Sequence, residues 1–522
     1  MRRKHYIAVI TALTITGAMA SCPAAFASTD HYNDSSKTGT QEAWSAWQDQ
    51  WEETAADFTK VSITPGADET QLNFAWYSEN TGSEATPVVH FGTDEANLEA
   101  FIGESGAVNT DLTGGAAYDY NHVTVTGLTP DTTYYYTVEK NGEQTEAVEY
   151  KTGSLDTVKI LYVGDPQIGA SKGQPQGDGE LVNDEGAANT AAENDGFAWN
   201  RTLQTAAEQN TDLNFVISAG DQVNKTGKPK EEEYAAYLDS EVLSGLAVAT
   251  TIGNHDSLNE DYMYHFNNPN ATELGTTAAG GDYYYSYGDG LFIVLNTNNY
   301  NVAEHQQAIE EAIASHPDAA WKIVTMHQDI YGTGLDHSDT DGMILRTQLT
   351  PIFDANDIDV VLQGHDHTYS RSKLLYGDGQ THGKYEFSLT EDGTDYDWEH
   401  ATNTQTGEKI QLNPDESDAD AVAAKDAFQQ DNLCYTIEDV EGNSVTDPEG
   451  ILYLTANSAS GSKFYELIAQ QQDYIAARSQ NWLPSYSVIT LTKDTFSVDA
   501  YQIMDDGSVE TIDDTFTITK TK

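Results

Sequence analysis

Five short stretches of this sequence set oxygen and nitrogen donors directly behind apolar, β-rich runs. Asp165 and Gln167 stand in GDPQ, Asp221 in GDQVN, Asn254, His255 and Asp256 in GNHD, His327 in TMH, and His365, Asp366 and His367 in GHDH. Each stretch alone has an ordinary structural explanation, because Asn and Asp bond their own backbone in turns and a lone histidine is commonly packed in a core. Their recurrence, each after a strand-like run, points instead to one shared site for metal.

The elements that must position these residues are legible from residue 157 onward, where apolar runs alternate with helical patterns. VKILYVGD, LNFVISAGD, LAVATTIGNHD, LFIVLNTN, WKIVTMH and IDVVLQGHDH read as buried strands, with helices expected from Trp199 to Gln209 and near 231–245, 303–315 and 346–355. Such alternation argues an α/β layered sheet, in which ligands bind at the carboxyl ends of the strands. A long acidic, Gly- and Thr-rich insertion at about 373–449 reads as partly disordered or as an elaborated lid. GILYLTANSAS, SYSVITLTK and TFSVDAYQI close the chain as further strands.

Ahead of this unit, residues 59–153 carry short alternating runs separated by Gly, Asn, Asp and Pro, the pattern of a small all-β domain. Residues 28–58 form a polar leader with Trp44, Trp47 and Trp51, expected to be mobile or loosely docked. Residues 1–27 have the basic start, apolar stretch and small-residue end of a secretory signal peptide. A lipid anchor at Cys22 is the rival reading, which Met19 argues against. Cys434 then has no partner, so disulfides do not hold the exported chain together. No later stretch offers the ~20 apolar residues of a spanning helix, so the product is expected to be secreted and at most associated with the cell envelope, through the β-sandwich.

A formal charge of −59 argues against a nucleic-acid polymer or an anionic membrane as partner. An anionic substrate must therefore meet local positive charge, and bound metal is the obvious source. DHSDTDG at 336–342 is rejected as a Ca²⁺ loop, because no Glu follows at the required distance, and is expected to cap a helix near Met343. Tyr369 and Arg371 are candidates to brace the site from behind.

GDPQ, GDQVN, GNHD, TMH and GHDH resemble the five blocks of the calcineurin-like metallophosphoesterase superfamily, over roughly 157–372. VTGLTPDTTYYYTV at 125–138 resembles the fibronectin type III-like domain of the purple acid phosphatase-related branch. The resemblance implies an α/β/β/α metallophosphoesterase sandwich over 157–522, preceded by a fibronectin type III-like β-sandwich. It implies two metal ions, one held by Asp165, Gln167, Asp221 and His367, the other by Asp221, Asn254, His327 and His365. His255 takes the place of the family's catalytic histidine beside the phosphate, with Asp256 available to set its tautomer. The donor types suit divalent Mn, Zn or Fe. Two such ions can clamp both sides of an in-line displacement. The function implied is a secreted, metal-dependent, acid phosphatase-like hydrolase of phosphate esters. The alternatives are a phosphodiesterase or nucleotidase of the same fold, or a non-catalytic cell-surface binding protein. Two departures stand out: Gln167 replaces a usual histidine, and Asn224 replaces the tyrosine that binds Fe³⁺ in purple enzymes.

Overall fold

In the computed structural model, the run VKILYV is the strand Val158–Val163, whose alternate side chains go to two different cores. The structure describes residues 33–80, 82, 86–172, 190–335, 341–382, 385–389, 396–412, 414–415 and 417–521. Ile160 and Tyr162 point to a core shared with Phe292, Val294, Ile323 and Leu454 of a second sheet. Leu161 and Val163 point to a separate core with Trp199, Leu203, Tyr234 and Tyr237. This period-2 split is why the strand is apolar throughout: both of its faces are covered.

The first sheet runs, in spatial order, Val248–Thr250, Phe215–Ser218, Val158–Val163, Ser485–Leu491, Thr495–Ile503, Phe516–Thr519 and Ser444–Thr446, with Val509–Thr511 paired beside Thr495–Ile503. Its first three strands are parallel. The second sheet runs Tyr283–Tyr287, Gly290–Leu295, Trp321–Met326, Val360–Gln363, Leu452–Thr455, Tyr369–Ser372 and Ile475–Ser479, with four consecutive parallel strands from Gly290–Leu295 to Leu452–Thr455. The sheets face one another across the shared core, and helices cover each outer face, giving four α/β/β/α layers. The Tyr162 hydroxyl ties the layers together. It donates to the carbonyls of Gln363 and Leu454 and accepts the Gln363 amide N–H at 2.9 Å.

The amino-terminal unit is an all-β domain of two sheets. One has the order Ser62–Pro65, Gln71–Glu79, Tyr118–Thr126, Glu104–Ala107; the other is built on Glu99–Ile102, Val88–Gly92 and Thr133–Lys140. Its side chains merge with the inter-sheet core, and Thr64 and Asn73 donate to the Asn267 carbonyl at 2.7 and 2.8 Å.

Several elements differ from the sequence reading. The described part of the polar leader is docked rather than loose: Gln41–Ala56 is a helix whose Trp44, Trp47 and Trp51 recur at the helical period on one face. Trp47 Nε1 donates to the Glu193 carbonyl at 2.9 Å, and Trp44 meets the Phe197 ring edge-on. The helix expected from Trp199 begins earlier, at Ala191, because Thr190 and Glu193 form a capping box. The helix expected near 231–245 is two, Glu231–Leu238 and Glu241–Gly245. The helix expected at 346–355 spans Asp341–Ala355.

The insertion is no bare loop. Its described residues include a three-stranded sheet (Tyr385–Leu389, Tyr396–Asn403, Lys409–Gln411) and the helix Ala419–Asp431. Tyr385, Phe387, Ala401, Ile410 and Phe428 pack there on Met343 and Ile344. Cys434 is a buried free thiol. Among the described residues no helix is long and apolar enough to cross a membrane. The signal peptide with Cys22, and residues 336–340 of DHSDTDG, lie outside the described residues.

Candidate metal centre

The donors come from two sheets, not from the single layered sheet that the alternation of strands and helices alone suggests. Asp165, Asp221 and Asn254 follow the three parallel strands of the first sheet, while His327 and His365 follow neighbouring parallel strands of the second. Carboxyl ends of both sheets thus meet at one place. There Asp221, His327 and His365 offer ligand atoms that all lie within 4.8 Å of one another, and all three side chains are buried. Asn254 Oδ1 lies 3.0 Å from His327 Nε2, and that nitrogen lies 3.4 Å from Asp221 Oδ2. A second group stands beside it. His367 Nε2 is 3.5 Å from Asp165 Oδ1, and the Gln167 amide N–H donates to the Asp221 carbonyl at 2.8 Å. The His365 amide N–H reaches both Asp165 carboxylate oxygens, at 3.1 and 2.9 Å, and so links the groups.

Backbone geometry sets the donors apart. Asp165, Gln167, Asp221, His365 and His367 have φ of 47°, 38°, 49°, 72° and 48°, in the left-handed region that costs residues with a Cβ. Such positions persist only where the surroundings over-determine them, and they concentrate at functional sites. Two glycines show how tightly the site is packed. A Cβ on Gly220 would lie 2.4 Å from His327 Nδ1, and one on Gly253 would lie 2.1 Å from both the amide nitrogen and Oδ1 of Asp221.

The histidine tautomers follow from their partners. His327 Nδ1 contacts the Ala219 carbonyl at 2.9 Å and His367 Nδ1 the Lys463 carbonyl at 2.6 Å. A carbonyl can only accept, so each Nδ1 carries a proton and each Nε2 is the nitrogen that faces the carboxylates. His255 is held the same way, but by the Asn224 carbonyl rather than by Asp256. Its Nε2 stands 3.9 Å from Asp221 Oδ2, and its amide N–H donates to Asp221 Oδ1 at 2.8 Å. Asp256 instead accepts from the Gly253 amide at 2.9 Å and from Gln222 Nε2 at 3.0 Å, which shapes the turn.

Whether these residues fit cations is tested by Gln167. Its Nε2 donates to Asn224 Oδ1 at 3.3 Å, while its buried carbonyl oxygen Oε1 has no hydrogen-bond partner. A buried acceptor without a donor costs free energy unless a ligand meets it. Electrostatics agree. Burial pushes the Asp165 carboxyl well above its usual range, His327 opposes this, and Asp221 adds to it. Burial acts the same way on Asp221, but His327 and His255 overcome it and hold that carboxyl low. Burial would lower His327, but Asp221 raises it to about 9. Burial also depresses His255. A bound divalent cation would be the largest charge here and would favour carboxylates and neutral imidazoles. The residues therefore fit divalent metal.

One segment was missed by the sequence reading. The run GILYLTANSAS reads as strand throughout, yet the strand is only Leu452–Thr455. Beyond it, the Ser458 hydroxyl donates to the Asp165 carbonyl at 3.0 Å, and those of Ser460 and Ser462 donate to the Pro166 carbonyl at 2.5 and 3.2 Å. These serines grip the backbone between two left-handed residues. Alternating Ser in NSASGSK, next to a glycine, was the available signal. Tyr369 and Arg371 are tied to the carboxyl-terminal segment: both hold Asp513, Arg371 with two nitrogens at 2.6 and 3.1 Å.

Residues 158–369 match the family model described as calcineurin-like phosphoesterase, and residues 58–152 that described as purple acid phosphatase, N-terminal domain. Two uncharacterized proteins of Mycobacterium tuberculosis, from two strains, are each 22% identical over 340 residues, 59% of this chain. The match spans 60% of the length of these relatives. Among solved structures, a purple acid phosphatase from yellow lupin (Lupinus luteus) seeds aligns at TM-score 0.59 and 13% identity, covering 88% of this chain and 75% of its own. PhoD aligns at TM-score 0.50 and 11% identity, covering 89% and 91%. These are likenesses of fold.

Proposed function

We propose, from the premise that this chain carries a calcineurin-like phosphoesterase domain behind a purple acid phosphatase N-terminal domain, that it is a secreted hydrolase of phosphate esters with a dinuclear divalent centre. Asp165, Gln167, Asp221 and His367 would hold one ion. Asp221, Asn254, His327 and His365 would hold the other, with Asp221 shared. The chemistry the ions supply when bound is Lewis-acid charge at the phosphate and a lowered pKa for the attacking water. The observation that carries this reading is the convergence of buried Asp221, His327 and His365 at the ends of strands from both sheets.

The protein's own groups do the rest. Asp221 positions His255 through its backbone amide, and the Asn224 carbonyl keeps a proton on Nδ1, so that Nε2 is the atom that delivers a proton to the leaving oxygen. Asn254 contributes a neutral donor, which leaves net positive charge for the phosphate. We take the chain to divide into a signal at 1–27, a leader at 28–58, the β-domain at 59–153 and the hydrolase domain from 157. The test is hydrolysis of a chromogenic phosphate ester by metal-replete protein. Asp221→Asn and His327→Ala should each lose most activity, and unchanged rates would sink the assignment. Export is tested separately: the protein recovered from the medium should begin near Ser28.

A further inference from the structure

The docked leader reaches the candidate centre. Its first described residues, 33–39, run ahead of the tryptophan helix, and their hydrogen bonds lead to both ends of GDPQIG, the turn that carries Asp165 and Gln167. On one side the Asn33 amide N–H donates to the Gly461 carbonyl at 2.6 Å. The Gly461 amide N–H donates in turn to the Ser458 hydroxyl at 3.1 Å, and that hydroxyl donates to the Asp165 carbonyl. On the other side Asn194 is the junction. Its Oδ1 accepts the Ser35 amide N–H at 2.9 Å, its carbonyl accepts the Ser35 hydroxyl at 2.6 Å, and its Nδ2 donates to the Asn33 carbonyl at 2.9 Å. The same Nδ2 donates to Asp195 Oδ1 at 2.9 Å, and Asp195 Oδ2 accepts the amide N–H groups of Gly169 and Ser171 at 2.8 and 3.2 Å. Asn33, Ser35, Asn194, Asp195 and Ser458 are all buried, so these bonds belong to the packed interior.

We infer that residues 33–35 are a strap that positions the turn of the first metal, so that leader docking and metal affinity at Asp165, Gln167 and His367 are coupled; the inference rests on the proposed dinuclear centre. Asp165 and Gln167 hold left-handed backbone, with φ of 47° and 38°, which persists only where the surroundings over-determine it. The strap fixes the backbone on either side of these two residues. It thereby restricts the conformations open to the metal-free turn, and less order remains to be imposed when the ion binds. Asn254, His327 and His365 stand on segments that these bonds do not enter, so the second site should feel the strap little. Coupling of this kind is reciprocal: a strap that tightens the ion is itself held more firmly by the ion.

The experiment titrates the full-length chain with Mn²⁺ or Zn²⁺ by equilibrium dialysis after chelation. His327→Ala leaves the proposed ligands of the first site intact and His367→Ala those of the second, so each background reports one site. Asn194→Ala, which removes the junction, should weaken the first site by about 5- to 150-fold, the range of coupling between linked sites. It should change the second by less than about threefold, as for groups that do not interact. Ser35→Ala removes a single bond and should act in the same direction by less, which keeps the test open should Asn194→Ala not fold. Hydrogen exchange followed by mass spectrometry gives a second readout on the unmutated chain. Saturating ion should slow exchange at the Asn33 and Ser35 amides by a factor similar to the loss in Asn194→Ala. Equal weakening of both sites, the mark of a merely structural strap, would overturn the inference, as would leader exchange that ignores the ion. If neither background bound an ion, the dinuclear reading would itself fall, and this inference with it.

Discussion

Gln167 and Asn224 work as a pair at the residue scale. Asn224 Oδ1 takes the Gln167 side-chain amide hydrogen, which leaves Oε1, a buried oxygen with no hydrogen-bond partner, to meet a cation. A neutral amide is a weaker donor than phenolate, so this set suits a divalent ion. Gln167→Ala should weaken the first metal about 10- to 100-fold, the effect of losing a member of a metal's ligand environment, and Gln167→His should tighten it. Equilibrium dialysis against Mn²⁺ or Zn²⁺ measures both. The protein should also be colourless, with no visible tyrosinate band, because Asn224 stands where a phenolate would be needed. At His255 the expectation is kinetic. His255→Ala should slow poor leaving groups by roughly 10²- to 10⁴-fold and activated ones far less, because only the former need the proton. Equal losses on a Brønsted series of aryl esters would leave His255 with phosphate binding alone.

At the scale of elements, the helix Glu231–Leu238 supports the candidate centre from behind. Glu233 Oε2 accepts the amide N–H groups of Asn224 and Lys225 at 2.9 and 2.7 Å. Burial lifts its carboxyl from an ordinary 4.5 to about 8, against the pull of these amides and of Lys230. The folded chain thus keeps a proton that the unfolded chain has already lost. The stability that this one carboxyl contributes is therefore fully present below about pH 4.5 and is lost as pH rises through about 8. Glu233→Gln keeps the acceptor and removes the titration. Metal-free Glu233→Gln should be more stable than wild type by about 1–3 kcal/mol at pH 8 and show little advantage at pH 4.5. Urea denaturation at the two pH values decides it, and parallel profiles would refute it.

For the whole molecule, the cost of the centre is spread over its surroundings. Asp165 and Asp221 are buried carboxylates, and five donor positions hold unfavourable backbone dihedrals, each worth ~1–3 kcal/mol. What balances them is the inter-sheet core, the Tyr162 pin and the serine grip, none of which needs metal. Chelation should therefore leave the fold intact by far-ultraviolet circular dichroism while lowering Tm. Restoring Mn²⁺ at a hundredfold excess over Kd should return about 2.7 kcal/mol per site. A Tm that ignores chelator would show that these residues hold no ion.

Legibility in the sequence followed the range of the interactions. Asp165, Asp221, Asn254, His327 and His365 could be placed at strand ends from sequence because apolar runs are periodic and a donor after such a run is a local fact. The capping box at Thr190 and Glu193 is equally local. Ser458, Ser460 and Ser462 act about 290 residues away along the chain, on carbonyls that any sequence offers, so the alternating serines of NSASGSK mark a polar turn but not the backbone it grips. The same holds for the Asn224 carbonyl that sets the His255 tautomer, and for the docking of the tryptophan helix on Glu193 and Phe197. The sequence by itself therefore determined which chemical groups are offered and in what order along the strands. Only the tertiary structure decided that two sheets bring them together and which backbone atoms orient them. Those outcomes depend on packing between elements distant in the chain, and a side chain's own identity says nothing about which distant backbone it will meet.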